Sequence, residues 1–332
     1  MLAAGLAFFL VSLLCIFYER PTGWYYTPNG PSPVGWRPGS TLIHGREGYG
    51  VVKVDKNGYL NPSGQLQDRY ILMMGSSHTQ GKEVPAAKKY SVLVNNHFAK
   101  EENILHTYNI ACDGNFLPSL IMHFQAAVQA FPGADAITLE ISSVNFSTEE
   151  LEAALQQVPY IPENSIFNQD QTAGISTRIK NTVKESLPLL SLIKPKIEAA
   201  AQEKAKASEG IQTVPDQRDD VRHAAVLNQA MALIRSETDS PIIFIYHPRT
   251  QLNADGTVKV EYDETWPMFQ EICTANEIAV IDMGTVFEQW YNEHRQLPYG
   301  FANTHPGAGH LNQVGHQLIA DTLIRYFEEA AR

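Results

Sequence analysis

The chain has 332 residues, 44% hydrophobic and 18% charged, enough for one large domain with a substantial core. A formal net charge of −11, with no cluster of Lys and Arg large enough for a phosphate footprint, excludes a nucleic-acid partner. The three cysteines, Cys15, Cys112 and Cys273, are too sparse and too far apart for a disulfide framework or a metal site.

The first element is an uncharged run from Leu2 to Tyr18, rich in Leu, Phe and Ala, closed by Glu19-Arg20-Pro21. It is at the lower limit for a membrane-spanning helix and longer than most signal-peptide apolar regions. Residues 1–20 are therefore expected to form an N-terminal transmembrane anchor; the alternative is a buried helix. Leu14 ahead of Cys15 argues against lipidation, and no Lys or Arg precedes the run to set its orientation. The aromatic cluster Trp24-Tyr25-Tyr26 suits a membrane interface or ordinary packing equally. Residues 21–68, rich in Pro, Gly and Asn, read as an irregular stalk and cap or small β-ribbon, with Asn57-Gly58 as a hairpin turn.

From Arg69 onward strands and helices alternate. Strands are expected at 70–74, 104–110, 135–141, 241–246 and 278–282. Helices are expected at 86–99, 116–131, 221–237, 263–276, 284–295 and 311–330. That alternation predicts an α/β domain over 69–332 with a mainly parallel sheet covered by helices on both faces. Residues 147–220 interrupt the pattern and read as a partly helical insertion, either a lid or partner surface or a surface excursion. In such sheets ligands bind beyond the C-terminal strand ends.

Two segments carry the chemistry. Gly75-Ser76-Ser77-His78-Thr79-Gln80-Gly81 puts a serine on a Gly-flanked turn after a strand, and His310-Leu311-Asn312-Gln313-Val314-Gly315-His316 puts a histidine ahead of the last helix. A serine hydroxyl needs a base to become a nucleophile, and the chain carries both groups at element ends. Between them lie Asn109-Ile110-Ala111-Cys112-Asp113-Gly114-Asn115 and Leu139-Glu140-Ile141-Ser142-Ser143-Val144-Asn145. The order of these four segments resembles the SGNH (GDSL-like) hydrolase superfamily, over roughly residues 69–330. The first segment looks like its Gly-Asp-Ser block with Ser76 in place of Asp; Ser143 stands where the third block usually has Gly, and Phe146 where Asp often follows.

The resemblance implies a three-layer, flavodoxin-like fold with Ser77 as nucleophile and His310 as base. It also implies an oxyanion hole from the Ser77 N–H, the Gly114 N–H and the Asn145 side chain. Gly307 departs from the family pattern, which places an Asp three residues before the histidine. Three readings stay open: a Ser–His dyad oriented by a backbone carbonyl, a carboxylate from elsewhere with Asp282, Asp113 or Glu140 as candidates, or lost catalysis. His78 and His247 are candidate substrate contacts or structural residues. His305, His310 and His316 have the wrong spacing for paired ligands on one helical face, so no metal is expected, and the serine mechanism implied by the resemblance needs no cofactor.

These readings predict a single-pass, membrane-anchored serine esterase with an extracytoplasmic catalytic domain. Its substrate would be an acylated small molecule or glycan, often acetylated in this family. The alternatives are an O-acyltransferase using the same residues, and an inactive glycan-binding or assembly protein that kept the fold.

Overall fold

The computed structural model describes residues 2–20, 24–26, 34–36, 38–62, 66–100, 105–156 and 219–330. The N-terminal helix α1 spans Leu2–Cys15. Two antiparallel ribbons follow, β1 (Trp24–Tyr26) with β2 (Val34–Trp36) and β3 (Thr41–His44) with β4 (Gly50–Lys53). Then come β5 (Tyr70–Met74), α2 (Ser77–Gln80), a 3₁₀ turn at Ala86–Lys88, α3 (Tyr90–Phe98), β6 (His106–Asn109), α4 (Leu117–Ala130), β7 (Ala136–Ile141) and α5 (Thr148–Leu155). After Gln156 the described chain resumes at α6 (Asp220–Ser236), then β8 (Ile242–Tyr246), the hairpin β9 (Arg249–Leu252) and β10 (Val258–Glu261), α7 (Trp266–Ala275), β11 (Ala279–Asp282), α8 (Gly284–His294) and α9 (Gln313–Ala330). Most of the insertion expected at 147–220 lies outside the described residues.

β5, β6, β7, β8 and β11 form one parallel sheet in the spatial order β6-β5-β7-β8-β11. Numbered along the chain from β5, this is 2-1-3-4-5, the flavodoxin-like order, with its switch point between β5 and β7. β5, β7 and β8 are buried at every position, which explains their uninterrupted apolar runs. Alternate side chains enter opposite layers, as the period of two requires. Tyr70, Leu72 and Met74 join Leu139, Phe244 and Tyr246 beneath α4, α5, α6 and α7. Ile71 and Met73 join Ala136, Ile243 and Ile245 beneath α3, α8 and α9.

The N-terminal third differs from expectation in two ways. α1 has 14 residues, about 21 Å at ~1.5 Å per residue, against a hydrocarbon core of about 30 Å. Among the described residues no helix is long and apolar enough to cross a membrane, so the expected transmembrane helix is not found. The segment read as an irregular stalk and cap or small β-ribbon contains the β1–β2 and β3–β4 ribbons and covers the β6 edge of the sheet. Asp55 accepts from the Tyr108 hydroxyl, and the Asn61 side chain bonds both N and O of Asn109, in place of a further strand. Asn57-Gly58 lies in a turn closed on the Asp55 carboxylate, not in a β-hairpin. The hairpin is β3–β4, packed on a small core of Trp36, Leu42, Val52, Val54 and Leu60, and its loop 45–49 reaches the C-terminal edge of the sheet.

Candidate active site

β5 ends at Met74, and Gly75 turns the chain into α2. Ser76 caps that short helix, and Ser77 is its first residue. The Ser77 hydroxyl is 2.9 Å from His310 Nε2. His310 lies just before α9, on a loop held by Asn312, whose side chain donates to Leu297 O and Gly300 O and accepts from Val314 N and Gly315 N. This pairing joins residues 233 apart in sequence.

The group on the far side of the imidazole is Glu47. Its Oε2 is 2.6 Å from His310 Nδ1, and its Oε1 accepts the His310 backbone N–H at 2.7 Å. A carboxylate can only accept, so Nδ1 carries the proton and Nε2 presents its lone pair to Ser77. Burial pushes the Glu47 carboxyl up, but the two bonds from His310 outweigh it and leave the carboxyl below its usual range. For His310, burial opposes the charged form; the Glu47 hydrogen bond and the charges of Glu83 and Glu47 overcome it, against Lys82, and raise its pKa above 6.5. Gly309, with φ of +89°, makes room: a Cβ there would stand 2.1 Å from Glu47 Oε1.

Glu47 is itself held from both sides. Glu19, 3% exposed, accepts from Gly45 N and the Arg46 guanidinium, and Asn303 accepts from Gly48 N and donates to the carbonyls of Gly45 and Gly48. The loop carrying Glu47 is thus clamped between the end of α1 and the 299–310 segment.

None of the three carboxylates expected to orient His310 does so. Asp282 accepts from Gly284 N at the start of α8, and Asp113 pairs with Lys82. Glu140 is at the end of β7, fully buried, and holds the nucleophile turn. Its Oε2 accepts from Ser76 N (2.8 Å), Thr79 N (3.3 Å) and the Thr79 hydroxyl (2.8 Å), and the Ser76 hydroxyl donates to the same carboxylate. His247 Nε2 lies 2.7 Å from its Oε1. Burial raises the Glu140 pKa, yet the His247 bond and charge, with His78 and Ser76 N, bring it to about 2. A Cβ at Gly75 would meet Glu140 Oε2 at 2.6 Å, so only glycine lets this carboxylate approach.

The two histidines expected at the substrate separate. His247 is fully buried, with Nε2 on Glu140 and Nδ1 2.8 Å from the Tyr299 hydroxyl, so neither nitrogen is left for a ligand. This corrects its reading as a substrate contact in favour of the structural one, because just past β8 both ring nitrogens are bonded within the fold. His78 is partly exposed beside His310, with ring centroids 5.2 Å apart. Its Nδ1 accepts from Leu311 N at 3.2 Å, which leaves the proton on Nε2 in the neutral ring. Burial, then the nearby His247, push its pKa well below 6.5.

Gly114 and Asn145 lie beyond β6 and β7, the two neighbours of β5 in the sheet. Pairing runs past the strands here: Cys112 N donates to Gly75 O, so Gly114 and Ser77 each stand two residues beyond a bonded pair. Gly114 has φ of +79° and is exposed. The Asn145 turn is anchored by Asp263, which accepts from the Ser143 hydroxyl and Val144 N, while Asn145 N donates to Ser143 Oγ. No group of His, Cys, Asp and Glu among the described residues is arranged to hold a metal ion.

A flavodoxin-like sheet with a Ser–His–Glu relay beside its switch point is the class of protein that fold and site define. No family model matches the chain, and no curated protein matches it. Solved structures similar to it include a two-domain esterase active on acetylated mannans, at 13% identity over 78% of this chain and 49% of that one, with a TM-score of 0.42. This chain therefore spans about half the length of that enzyme. A lipolytic protein of the G-D-S-L family from Veillonella parvula is similar at 16% identity over 78% of this chain and 98% of that one, TM-score 0.37. An acetyl xylan esterase is similar at 12% identity over 76% and 97%, TM-score 0.41.

Proposed function

We propose that the chain is a serine ester hydrolase of SGNH (GDSL-like) type. The observation that carries this reading is the continuous relay from Ser77 Oγ through His310 to Glu47, at 2.9 and 2.6 Å. In this reading His310 Nε2 takes the Ser77 proton as Oγ attacks an ester carbonyl. Glu47 stabilises the imidazolium, and the same proton then goes to the leaving alcohol. The oxyanion would be met by N–H groups of Ser77 and Gly114 and by the Asn145 amide, which their strand-end positions favour. Gly307 no longer argues for an inactive relative, because a carboxylate from the hairpin loop does what a neighbouring Asp would do. No step calls for a cofactor.

Acetylated or otherwise acylated glycans are the substrate class we favour, on the sequence resemblance. An N-terminal attachment to membrane is supported by α1 and the turn after it, which leave Leu6, Phe9, Leu10, Leu14 and Phe17 exposed. Loss of vesicle co-sedimentation on Leu10→Lys/Leu14→Lys is the expected result, and unchanged partitioning would remove this part of the proposal. The test of the activity is p-nitrophenyl acetate turnover together with a serine-directed phosphonate probe mapped by mass spectrometry. An adduct on Ser77, absent in Ser77→Ala and weak in His310→Ala, is expected. Equal turnover in wild type and Ser77→Ala would refute the reading.

A further inference from the structure

Glu83 has no part in the relay, yet it faces the same nitrogen as Ser77. It follows Gly81, the left-handed residue that ends α2, and it is 1% exposed. Its Oε1 is 3.7 Å from His310 Nε2 and 3.9 Å from Lys82 Nζ, and it accepts no hydrogen bond from any described residue. The backbone cannot easily swing away. Tyr49 N donates to Glu83 O at 2.9 Å, and a Cβ at Gly48 would meet that oxygen at 2.2 Å. A buried carboxylate oxygen without a donor is rare in folded proteins and calls for an explanation.

The 3.7 Å separation is too long for a direct hydrogen bond, but it suits two acceptors that share one water. Once the leaving alcohol has taken the proton from Nε2, the species that must next approach that nitrogen is water. We propose that His310 Nε2 and Glu83 Oε1 together seat the water that hydrolyses the acyl-enzyme, an inference that rests on the serine-esterase reading above. The water donates one hydrogen to each group, which aims an oxygen lone pair at the acyl carbon. Its O–C bond forms as the O–H bond on the Nε2 side breaks. That proton passes to Nε2, and the carbonyl electron pair moves onto the oxyanion. Collapse then breaks the C–Oγ bond, Nε2 returns its proton to Ser77 Oγ, and the carboxylic acid leaves. Burial raises the Glu83 pKa on balance, and the charges of His310 and Lys82 act against it; in either protonation state the carboxyl keeps an oxygen that can accept the second hydrogen.

The experiment separates formation from decay of the acyl-enzyme in the full chain. A pulse of p-nitrophenyl acetate is followed by rapid quench and intact mass, which counts acetyl-Ser77, while the nitrophenolate burst reports its formation. Glu83→Leu is expected to slow decay about tenfold or more, from a misplaced water, and to change formation by less than about twofold. In steady state kcat and KM then fall together and kcat/KM holds. Glu83→Gln keeps one acceptor oxygen in the same volume, so it should slow decay less, and it carries the comparison if the leucine variant does not fold. Formation and decay slowed in proportion, or neither slowed, would overturn the role of Glu83. Absence of any acetyl-Ser77 in the wild type would instead overturn the serine-esterase reading beneath it.

Discussion

Replacing Glu47 by Gln changes one atom at the far end of the relay, and the effect can be worked from the geometry. The carboxylate accepts two bonds from His310, one from Nδ1 and one from the backbone N–H. A glutamine amide has a single acceptor oxygen. If that oxygen keeps the backbone N–H, the NH₂ faces Nδ1 and forces the proton onto Nε2, where it blocks acceptance from Ser77. If it keeps Nδ1, the loop loses its clamp and the NH₂ confronts the half-buried His310 N–H. The wrong tautomer in a comparable relay costs up to about 10⁴ in kcat, so a loss of ~10²–10⁴, about 3 to 5 kcal/mol of transition-state stabilisation, is expected. The same change has a pH signature. Glu47 raises the His310 pKa, and catalysis needs the neutral ring, so the acid limb of kcat/KM should lie above 6.5 in the wild type. With Glu47 neutralised, its hydrogen bond and charge no longer offset burial and Lys82, and the limb should move to lower pH. Turnover of p-nitrophenyl acetate against pH, with a thermal melt to confirm folding, measures both. A Glu47→Gln enzyme within about threefold of wild type, where ~10² or more is expected, would refute the relay.

Gly309→Ala should mimic that loss, since its Cβ would meet Glu47 Oε1 at 2.1 Å. Gly114→Ala, with nothing within 4 Å, should show mainly the ~1–2 kcal/mol strain of a positive φ in its thermal melt. Asn145→Ala should lower kcat by ~10²–10³ if the amide meets the oxyanion, and a KM-only effect would assign it to substrate binding instead. His78→Ala should lower kcat by loosening the Leu311 tie, and His78→Asn, whose Oδ1 can accept in place of Nδ1, should recover most of it. Equal defects in both would mean the ring's bulk matters rather than its acceptor. Glu140 is held near 2 in the fold, far below an unfolded carboxyl at 4.5, so its stabilisation is present above about 4.5 and fades as pH falls toward 2. Urea melts of wild type should weaken across that window, whereas Glu140→Gln should be less stable at neutral pH and flatter between the two values.

Local signals were enough for the framework. All five strands of the sheet and the longer helices between them follow from apolar runs and 3.6-residue periodicity, with observed bounds within four residues of expectation, while the one-turn α2 was not foreseen. A fully buried parallel strand reads as an unbroken apolar run because both its faces are covered, and Tyr70–Met74 and Ile242–Tyr246 are such runs. Ser77 and His310 could be named because each carries its own turn chemistry nearby. The acid could not. Glu47 is 263 residues from His310 and lies in a Pro- and Gly-rich stretch without periodicity, in a loop whose only mark is glycine at 45 and 48. What places it at Nδ1 is packing: the β3–β4 hairpin on its small core, Glu19 on Arg46 and Asn303 on Gly48.

Glu140 shows the same division from the other side. Its position at the end of an apolar strand was plain, and a carboxylate there near the serine was a reasonable partner for His310. The sheet decided otherwise, because β7 lies directly beside β5 and delivers the carboxylate beneath Ser76 and Thr79. Sequence by itself determined which segments are strand or helix, since those depend on neighbours within a few residues. The tertiary structure alone decided which carboxylate meets which histidine, since a hydrogen bond needs atoms within about 3 Å and chain spacing says nothing of that across hundreds of residues.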